Sequence, residues 1–241
     1  MSRHLHIPDI LNARDLGGLP RRAGGTTSFR GYIRAANLEN LTDEGAQVLH
    51  DYSIRTVVDL RCAEELLMTP SRFPEQHTLT VLHRPFLGES MQQWDIRQLD
   101  ISDGKGYSDM LNKFQPEIAQ IMKSIADAPN GGVLFHCYAG KDRTGMVSML
   151  LLSLADVADD VIAEDYALSE TGLETMRIKH LGKASDQDRI AAINADFSCS
   201  PIYMHAALNN LHGHYGGAAS YLHKIGLDEN AIERLRQRLA E

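Results

Sequence analysis

A short apolar run, Val133-Leu-Phe-His136, is followed after a polar loop by a nearly continuous apolar segment, Met146–Ala155. The second segment is shorter than the ~20 residues that span a bilayer, so we expect a helix buried on nearly all sides. A strand and a helix that both require burial are typical of a parallel sheet with helices packed on its faces. These two segments therefore predict an α/β fold and no stable membrane insertion.

The rest of the chain alternates in the same way. The pattern predicts a mostly parallel central sheet flanked by helices, with a helical C-terminal region from about residue 159. No repeat or linker divides the sequence, so we expect one domain over residues 1–241. Predicted strands are 29–34, 54–60, 79–83 and 133–136, and predicted helices are 42–52, 110–125, 159–169, 171–181, 186–195, 201–214 and 229–239.

Charge and cysteine content indicate which partners and which cellular compartment to expect. Lys and Arg number 24 against 32 Asp and Glu, which gives a net charge of −8 and argues against nucleic acid as a partner. The three cysteines, Cys62, Cys137 and Cys199, are odd in number and far apart, as is usual in a reducing compartment. The first residues lack the apolar region of a signal peptide. We therefore expect a cytoplasmic protein.

The segment His136-Cys-Tyr-Ala-Gly-Lys-Asp-Arg-Thr-Gly145 lies between the predicted buried strand and the buried helix. Open α/β folds bind ligands there, beyond the carboxyl ends of the strands. Backbone N–H groups that lead into a helix N-terminus bind anions, and they favour the thiolate of Cys137 over the thiol. The same groups would hold a phosphate against the sulfur.

The neighbours of the cysteine suit this chemistry. Arg143 can grip two phosphoryl oxygens in a bidentate fork, which a lysine cannot do. Gly140 allows a turn with no side chain in the loop, Lys141 adds a charge at its rim, and Thr144 can donate its hydroxyl to the sulfur. His136 is expected to fix the loop by hydrogen bonding rather than to act as a base. The candidate phosphate-binding residues are Tyr138, Ala139, Gly140, Lys141, Asp142 and Arg143.

Other phosphate-binding loops fit less well. A nucleotide-binding Walker loop needs glycine where this chain has Phe135 and serine or threonine where it has Asp142. A sulfur-transfer loop of the rhodanese type also begins with cysteine but lacks the Gly-Lys-Asp-Arg-Thr-Gly run. It remains an alternative enzyme class, and a non-catalytic phosphate-binding module is another.

His136 to Gly145 resembles the signature of cysteine-dependent phosphatases. It is most similar to bacterial tyrosine phosphatases whose loop reads His-Cys-x-x-Gly-Lys-Asp-Arg-Thr-Gly, a group also reported to accept phosphoserine and phosphoinositides. Asn12–Gly18 is similar to the opening motif of that group, with Ala13 where an aromatic residue is usual. Further similar pieces are Val57–Arg61, Asp165-Tyr166, Tyr215-Gly216, Tyr221-Leu222 and Gly226-Leu227.

Cleavage of a phosphate monoester needs an acid that protonates the leaving oxygen. The resemblance suggests Asp142, inside the loop. Many relatives instead use an aspartate on an upstream Trp-Pro-Asp loop, which is absent here. Asp95, after Trp94, is the alternative because residues 87–106 are polar and poorly patterned. Other nearby aspartates are Asp100, Asp103 and Asp109.

Two residues near the end of a predicted central strand, Asp59 and Arg61, are expected to face the same crevice. They would form either an ion pair that supports the loop or a plain surface pair. Cys62 follows them, and a Cys62–Cys137 disulfide would make oxidation of the site reversible.

No metal site is expected. Histidines two positions apart on a helix do not share a face, and no ligand spacing typical of zinc accompanies them. The histidines concerned are His205, His212, His214 and His223.

Taken together, the residues predict a phosphatase that needs no cofactor and works through a cysteinyl-phosphate intermediate. The expected substrate is phosphotyrosine protein, with phosphoserine, phosphothreonine or phosphoinositide as further possibilities, and the product is inorganic phosphate.

Overall fold

The computed structural model of the protein describes residues 1–71, 73, 79–88 and 104–240. Its strands are β1 (Arg14–Asp15), β2 (Tyr32–Ala35), β3 (Ile54–Asp59), β4 (Thr80–His83) and β5 (Gly132–His136). They form a five-stranded sheet in the order β1-β2-β5-β3-β4. Only the short edge strand β1 is antiparallel to its neighbour. The prediction of a mostly parallel sheet is confirmed.

Helices cover the sheet and form the whole C-terminal part of the described chain. They are α1 (Asp43–Asp51), α2 (Ala63–Met68), α3 (Lys105–Lys113), α4 (Gln115–Ala126), α5 (Asp142–Leu154), α6 (Asp159–Ala167), α7 (Ser169–Gly172), α8 (Glu174–Leu181), α9 (Gln187–Phe197), α10 (Pro201–Tyr215), α11 (Ala218–Lys224) and α12 (Glu229–Ala240).

The strands β2, β3 and β5 are buried almost throughout. Since side chains of successive strand residues point to opposite sides, both faces of this part of the sheet are covered. In β5, Val133 and Phe135 belong to the larger core, whereas Leu134 belongs to the smaller one. The larger core reaches from Leu16 to Leu239 and includes most of the helices. Helix α5 contacts β2, β5, α3, α6, α11 and α12, and nearly all of its residues are buried. This burial fixes the start of α5, where the cysteine loop ends.

The structure differs from the predicted elements in a few places. The helix expected over 110–125 is two helices, α3 and α4, separated at Phe114. Pro116 is the second residue of α4, and a proline ring excludes the carbonyl of the residue four positions earlier, so one continuous helix cannot form. The helix expected over 171–181 is likewise divided at Leu173. Strand β1 and helices α2 and α11 had no sequence prediction, since all three are short.

None of the helices in the described ranges is long and apolar enough to cross a membrane.

Candidate active site

Residues 137–141 connect β5 to α5 at the carboxyl edge of the sheet. Gly140 has a φ of 64°, in the left-handed region that favours glycine. A Cβ at this position would also lie 2.2 Å from the Ala35 carbonyl oxygen of neighbouring β2. Glycine is therefore required twice, once by the backbone conformation and once by the close approach.

The two central side chains of the loop are almost enclosed. Cys137 is 3% exposed and Arg143 is 7% exposed. Burial alone would lower the pKa of Arg143, but the negative charge of Cys137 and the hydrogen bonds to Glu65 outweigh it and raise this pKa. The guanidinium thus stays charged beside the sulfur.

Glu65 is a site residue that the sequence prediction missed. The Arg143 guanidinium donates to both of its carboxylate oxygens, at 2.5 and 2.7 Å. Burial acts to raise the pKa of Glu65, but its hydrogen bonds with Arg143 and the charge of Arg143 bring it below the ordinary value. Its position three residues after Cys62, where α2 begins, was a signal for helix capping. Nothing local connected it to Arg143.

Cys62 shares this carboxylate. Its backbone N–H donates to Glu65 at 2.9 Å and its sulfur donates at 3.2 Å. Burial and the neighbouring glutamate raise the pKa of Cys62 to about 11. All three cysteines are free thiols in the structure. A Cys62–Cys137 disulfide therefore stays a prediction, and the raised pKa makes Cys62 a poor attacking thiol.

Behind the loop, His136 and Asp59 are paired in register on the adjacent strands β5 and β3. The His136 Nε2 atom lies 3.5 Å from Asp59 Oδ2, and Nδ1 lies 3.2 Å from the Cys137 carbonyl oxygen. Burial lowers the pKa of His136. Arg61 donates to Asp59 at 2.7 and 3.0 Å and is fully buried. Asp59 and Arg61 thus form a buried pair behind the loop rather than a surface pair.

Two expectations about loop side chains need correction. Lys141 does not lie at the rim: it is 3% exposed, and its ammonium donates to the carbonyl oxygens of Asp196 and Ser198, at 2.5 and 3.3 Å. These carbonyls at the end of α9 attract the cation inward. Thr144 Oγ1 is buried and has no hydrogen-bond partner within the described residues, so it does not donate to the sulfur.

The candidate acid Asp142 is the first residue of α5, with a side chain 23% exposed. Its Oδ1 atom accepts a hydrogen bond from the Tyr107 hydroxyl and lies 3.4 Å from the Lys141 ammonium. The alternative acid Asp95 lies outside the described residues, as do Asp100 and Asp103. Asp109 forms an ion pair with Lys113 within α3, at 3.1 Å.

A second group of residues holds the loop carbonyls. Asn12 donates to the carbonyl oxygens of residues 139 and 140, at 3.1 and 3.0 Å. Arg34 donates to the carbonyls of residues 140 and 141, at 2.9 and 3.3 Å, and forms an ion pair with Asp165 at 2.9 Å. Arg14 and Arg3 bind the same carboxylate. With its carbonyls occupied in this way, the loop is left with N–H groups for an anion.

A cavity of about 430 Å³ opens beside the loop. The loop contributes Tyr138 and Asp142 to its wall, and α8 and α9 contribute the apolar side chains of Met176, Ile193 and Phe197. Such a cavity, mostly apolar with a few polar groups, is typical of a small-molecule or side-chain site.

The described residues contain no group of three or more potential metal ligands. Three of the four histidines considered lie next to single acids: His205 is 3.6 Å from Asp160, His212 is 3.1 Å from Asp159, and His223 is 2.7 Å from Glu229. His214 instead meets the ring of Tyr215.

A buried strand, a loop that contains Cys137 and Arg143, and a buried helix form the arrangement expected from the resemblance to phosphatases. In agreement with this, residues 5–241 match the tyrosine phosphatase family. The chain belongs to that family, and the sequence-based prediction of a protein tyrosine phosphatase is confirmed.

Individual relatives carry related names. The chain is 33% identical to a tyrosine-protein phosphatase of Nostoc commune, over 87% of this chain and 74% of that protein. It is 23% identical to the triple specificity protein phosphatase PtpB of Mycobacterium tuberculosis, over 95% of this chain and 96% of that protein. A crystal structure of P. aeruginosa TpbA in complex with pTyr matches with 16% identity and a TM-score of 0.35, over 74% of this chain and 86% of that one.

Proposed function

We propose that the enzyme hydrolyses phosphotyrosine monoesters through a covalent intermediate on Cys137. The observation that supports this most is the loop itself. Cys137 and Arg143 frame a turn whose carbonyls are held by Asn12 and Arg34, at the start of a buried helix. N–H groups and the helix dipole at such a position favour both a thiolate and a bound phosphate.

In the first step, the Cys137 sulfur attacks phosphorus and the bond from phosphorus to the leaving oxygen breaks. Arg143 stabilises the phosphoryl oxygens, and the two hydrogen bonds with Glu65 orient its guanidinium. Asp142 gives its proton to the leaving oxygen, so that a neutral alcohol or phenol departs.

In the second step, water attacks phosphorus and the bond from phosphorus to sulfur breaks. The Asp142 carboxylate takes a proton from that water, Cys137 leaves as a thiolate, and inorganic phosphate is released. His136, Asp59 and Arg61 support the loop from behind, through the buried pair described above.

The apolar cavity beside the loop supports an aryl ester as the substrate, because its wall offers Met176, Ile193 and Phe197 to a ring. The enclosed position of Cys137 also favours a long phosphorylated side chain. The breadth of the substrate range is measured with matched phosphotyrosine, phosphoserine and phosphothreonine peptides and with phosphoinositide vesicles. Faster hydrolysis of phosphoserine peptides or vesicles than of phosphotyrosine peptides would contradict the proposed preference.

The nucleophile is tested with p-nitrophenyl phosphate, with and without a chelator. Turnover that survives the chelator and is lost in Cys137→Ser supports the proposed enzyme, and Cys199→Ser is the matched control for another buried thiol. Full activity in Cys137→Ser contradicts the proposal. Phosphopeptide binding without turnover in the wild-type chain would indicate a binding module, and transfer of sulfur from thiosulfate to cyanide would indicate a rhodanese-like enzyme.

The acid is tested with Asp142→Asn on p-nitrophenyl phosphate and on phenyl phosphate, whose leaving group is poorer. A loss of activity that is larger on phenyl phosphate than on p-nitrophenyl phosphate supports Asp142 as the acid. An unchanged Asp142→Asn together with such a loss in Asp95→Asn would assign the role to Asp95.

We also propose that the chain acts as one phosphatase domain in the cytoplasm. A hydrophobic core that includes both Leu16 and Leu239 supports the single domain. Three free thiols support a reducing compartment.

A further inference from the structure

Two buried tyrosines connect the candidate acid to helices other than its own. Tyr107 of α3 is 0% exposed, and Tyr166 of α6 is 1% exposed. The Tyr107 hydroxyl donates to Oδ1 of Asp142, and the two tyrosine hydroxyl oxygens lie 2.5 Å apart. Such a chain of hydroxyl groups ending on a carboxylate is not needed for packing, since phenylalanine would fill the same space.

The direction of these hydrogen bonds follows from the proton count. A phenol has one proton, and Tyr107 donates it to Oδ1 of Asp142. Tyr107 therefore accepts a hydrogen bond from Tyr166. Burial in the first place, and the charge of Asp142 after it, raise the pKa of Tyr107 and the pKa of Tyr166 well above ordinary values. Both hydroxyls consequently keep their protons and remain donors.

Tyr107 is held firmly in place. Its ring stacks on Tyr203 with centroids 5.8 Å apart and meets Tyr166 edge to face at 5.7 Å. The next residue, Ser108, donates to the Ala206 carbonyl at 3.1 Å and accepts from Asn210 at 3.2 Å, which fixes α3 against α10. The hydroxyl thus presents a preorganised donor to the carboxylate.

The two oxygens of Asp142 differ. Oδ1 has Tyr107 and the Lys141 ammonium beside it, whereas Oδ2 accepts no hydrogen bond from the described residues. We propose that Tyr107, supported by Tyr166, is a positioning residue that reserves Oδ2 of Asp142 for proton transfer. This inference rests on the proposed role of Asp142 as the acid.

In this arrangement, Oδ2 of Asp142 gives a proton in the first step and takes one back in the second. As the bond from phosphorus to the leaving oxygen breaks, the proton on Oδ2 moves to that oxygen and negative charge develops on the carboxylate. The hydrogen bond from Tyr107 strengthens as this charge forms, so it stabilises the transition state more than the ground state. In the second step, Oδ2 takes a proton from the attacking water. Tyr107 keeps its own proton throughout.

The test compares Tyr107→Phe with the wild type on the two aryl phosphates. Hydrogen bonds to charged groups are worth enough to predict a loss of about 10- to 100-fold in kcat on phenyl phosphate. The loss on p-nitrophenyl phosphate should be much smaller, because that leaving group needs little protonation. Tyr166→Phe should also lower kcat more on phenyl phosphate than on p-nitrophenyl phosphate, but by a smaller factor. Tyr221→Phe is the matched control: it removes a buried hydroxyl that donates to the Leu111 carbonyl of α3.

A double variant separates this inference from the proposed function. Adding Tyr107→Phe to Asp142→Asn should cause no further loss on phenyl phosphate, since both changes remove one interaction. Equal losses on both substrates, or a further loss in the double variant, would overturn the positioning role while leaving Asp142 as the acid. If Asp142→Asn has no selective effect on phenyl phosphate, the proposed acid fails and the inference fails with it.

Discussion

Two carboxylates, the partly buried Glu65 and the buried Asp165, bind arginines around the cysteine loop, and the charge balance of the two groups differs. Glu65 pairs with one arginine, Arg143, through both of its oxygens. Asp165 is shared by Arg3, Arg14 and Arg34. The first group is neutral as a pair, whereas the second has three positive charges against one negative charge.

The difference matches what each arginine does. Arg143 must direct N–H groups at a substrate, and a single bidentate partner leaves it its other N–H donors. Arg34 instead donates to loop carbonyls at positions 140 and 141. Burial, and after it the charge of Arg34, lower the pKa of Arg14 to about 10. The excess positive charge of this second group behind the loop favours an anion within it.

The largest expected effect is a loss of folding stability when the shared carboxylate of Asp165 is removed. Asp165→Asn removes this counter-charge from the buried Arg14 and Arg34 and from the partly exposed Arg3, and breaking such a group costs about 3–5 kcal/mol of stability. The free energy of unfolding in urea measures this loss. Glu164→Gln, an exposed change one residue earlier on α6, is the control. A loss in Asp165→Asn no larger than in the control would contradict a structural role for the cluster.

Glu65→Gln should act on activity more than on stability. Without the bidentate carboxylate, the Arg143 guanidinium loses its orientation, and kcat/KM should fall about 10- to 100-fold. Glu44→Gln, at an exposed position on α1, is the control. Steady-state kinetics on p-nitrophenyl phosphate measure the effect, and urea unfolding should show a smaller loss than in Asp165→Asn. Unchanged kinetics in Glu65→Gln would show that the loop alone orients Arg143.

The smallest expected effect is a difference between Asp165→Asn and the wild type in how folding stability depends on pH. Burial acts to raise the pKa of Asp165, but the three arginines lower it overall, and the pKa of Glu65 is lowered as well. A carboxylate with a lowered pKa stabilises the fold above its unfolded pKa of about 4, and this stabilisation is lost as the pH falls. Unfolding free energies between about pH 6 and pH 3 should therefore fall less steeply in Asp165→Asn than in the wild type. An equally steep fall would contradict the lowered pKa.

The sequence predicts the parts of the site that are contiguous. His136 to Gly145 carries its own strand end, turn and helix start, and the parallel sheet follows from buried runs such as Ile54–Asp59. Glu65, Arg34 and Tyr107 were missed because each acts on the loop from a separate element. A pattern of residue types along the chain does not contain those distances. The break at Phe114 was missed although its cause, Pro116, is visible in the sequence.

Helix α9 is a second case in which the sequence predicts an element but not its contacts with the loop. Its carbonyl groups at Asp196 and Ser198 draw Lys141 away from the rim, where a lysine in such a loop is expected. The amphipathic pattern placed a helix there but not the direction of its C-terminal end.

The crowding of Gly140 against Ala35 has a practical consequence for anyone who wishes to modify the loop. No side chain can be introduced at residue 140 without displacing the backbone of β2. Spectroscopic labels or engineered substrate contacts must therefore be attached at Tyr138 or Ala139, which are half-buried at the open side of the turn. Substitutions are therefore feasible at Tyr138 and Ala139 but not at Gly140, where the loop packs against β2.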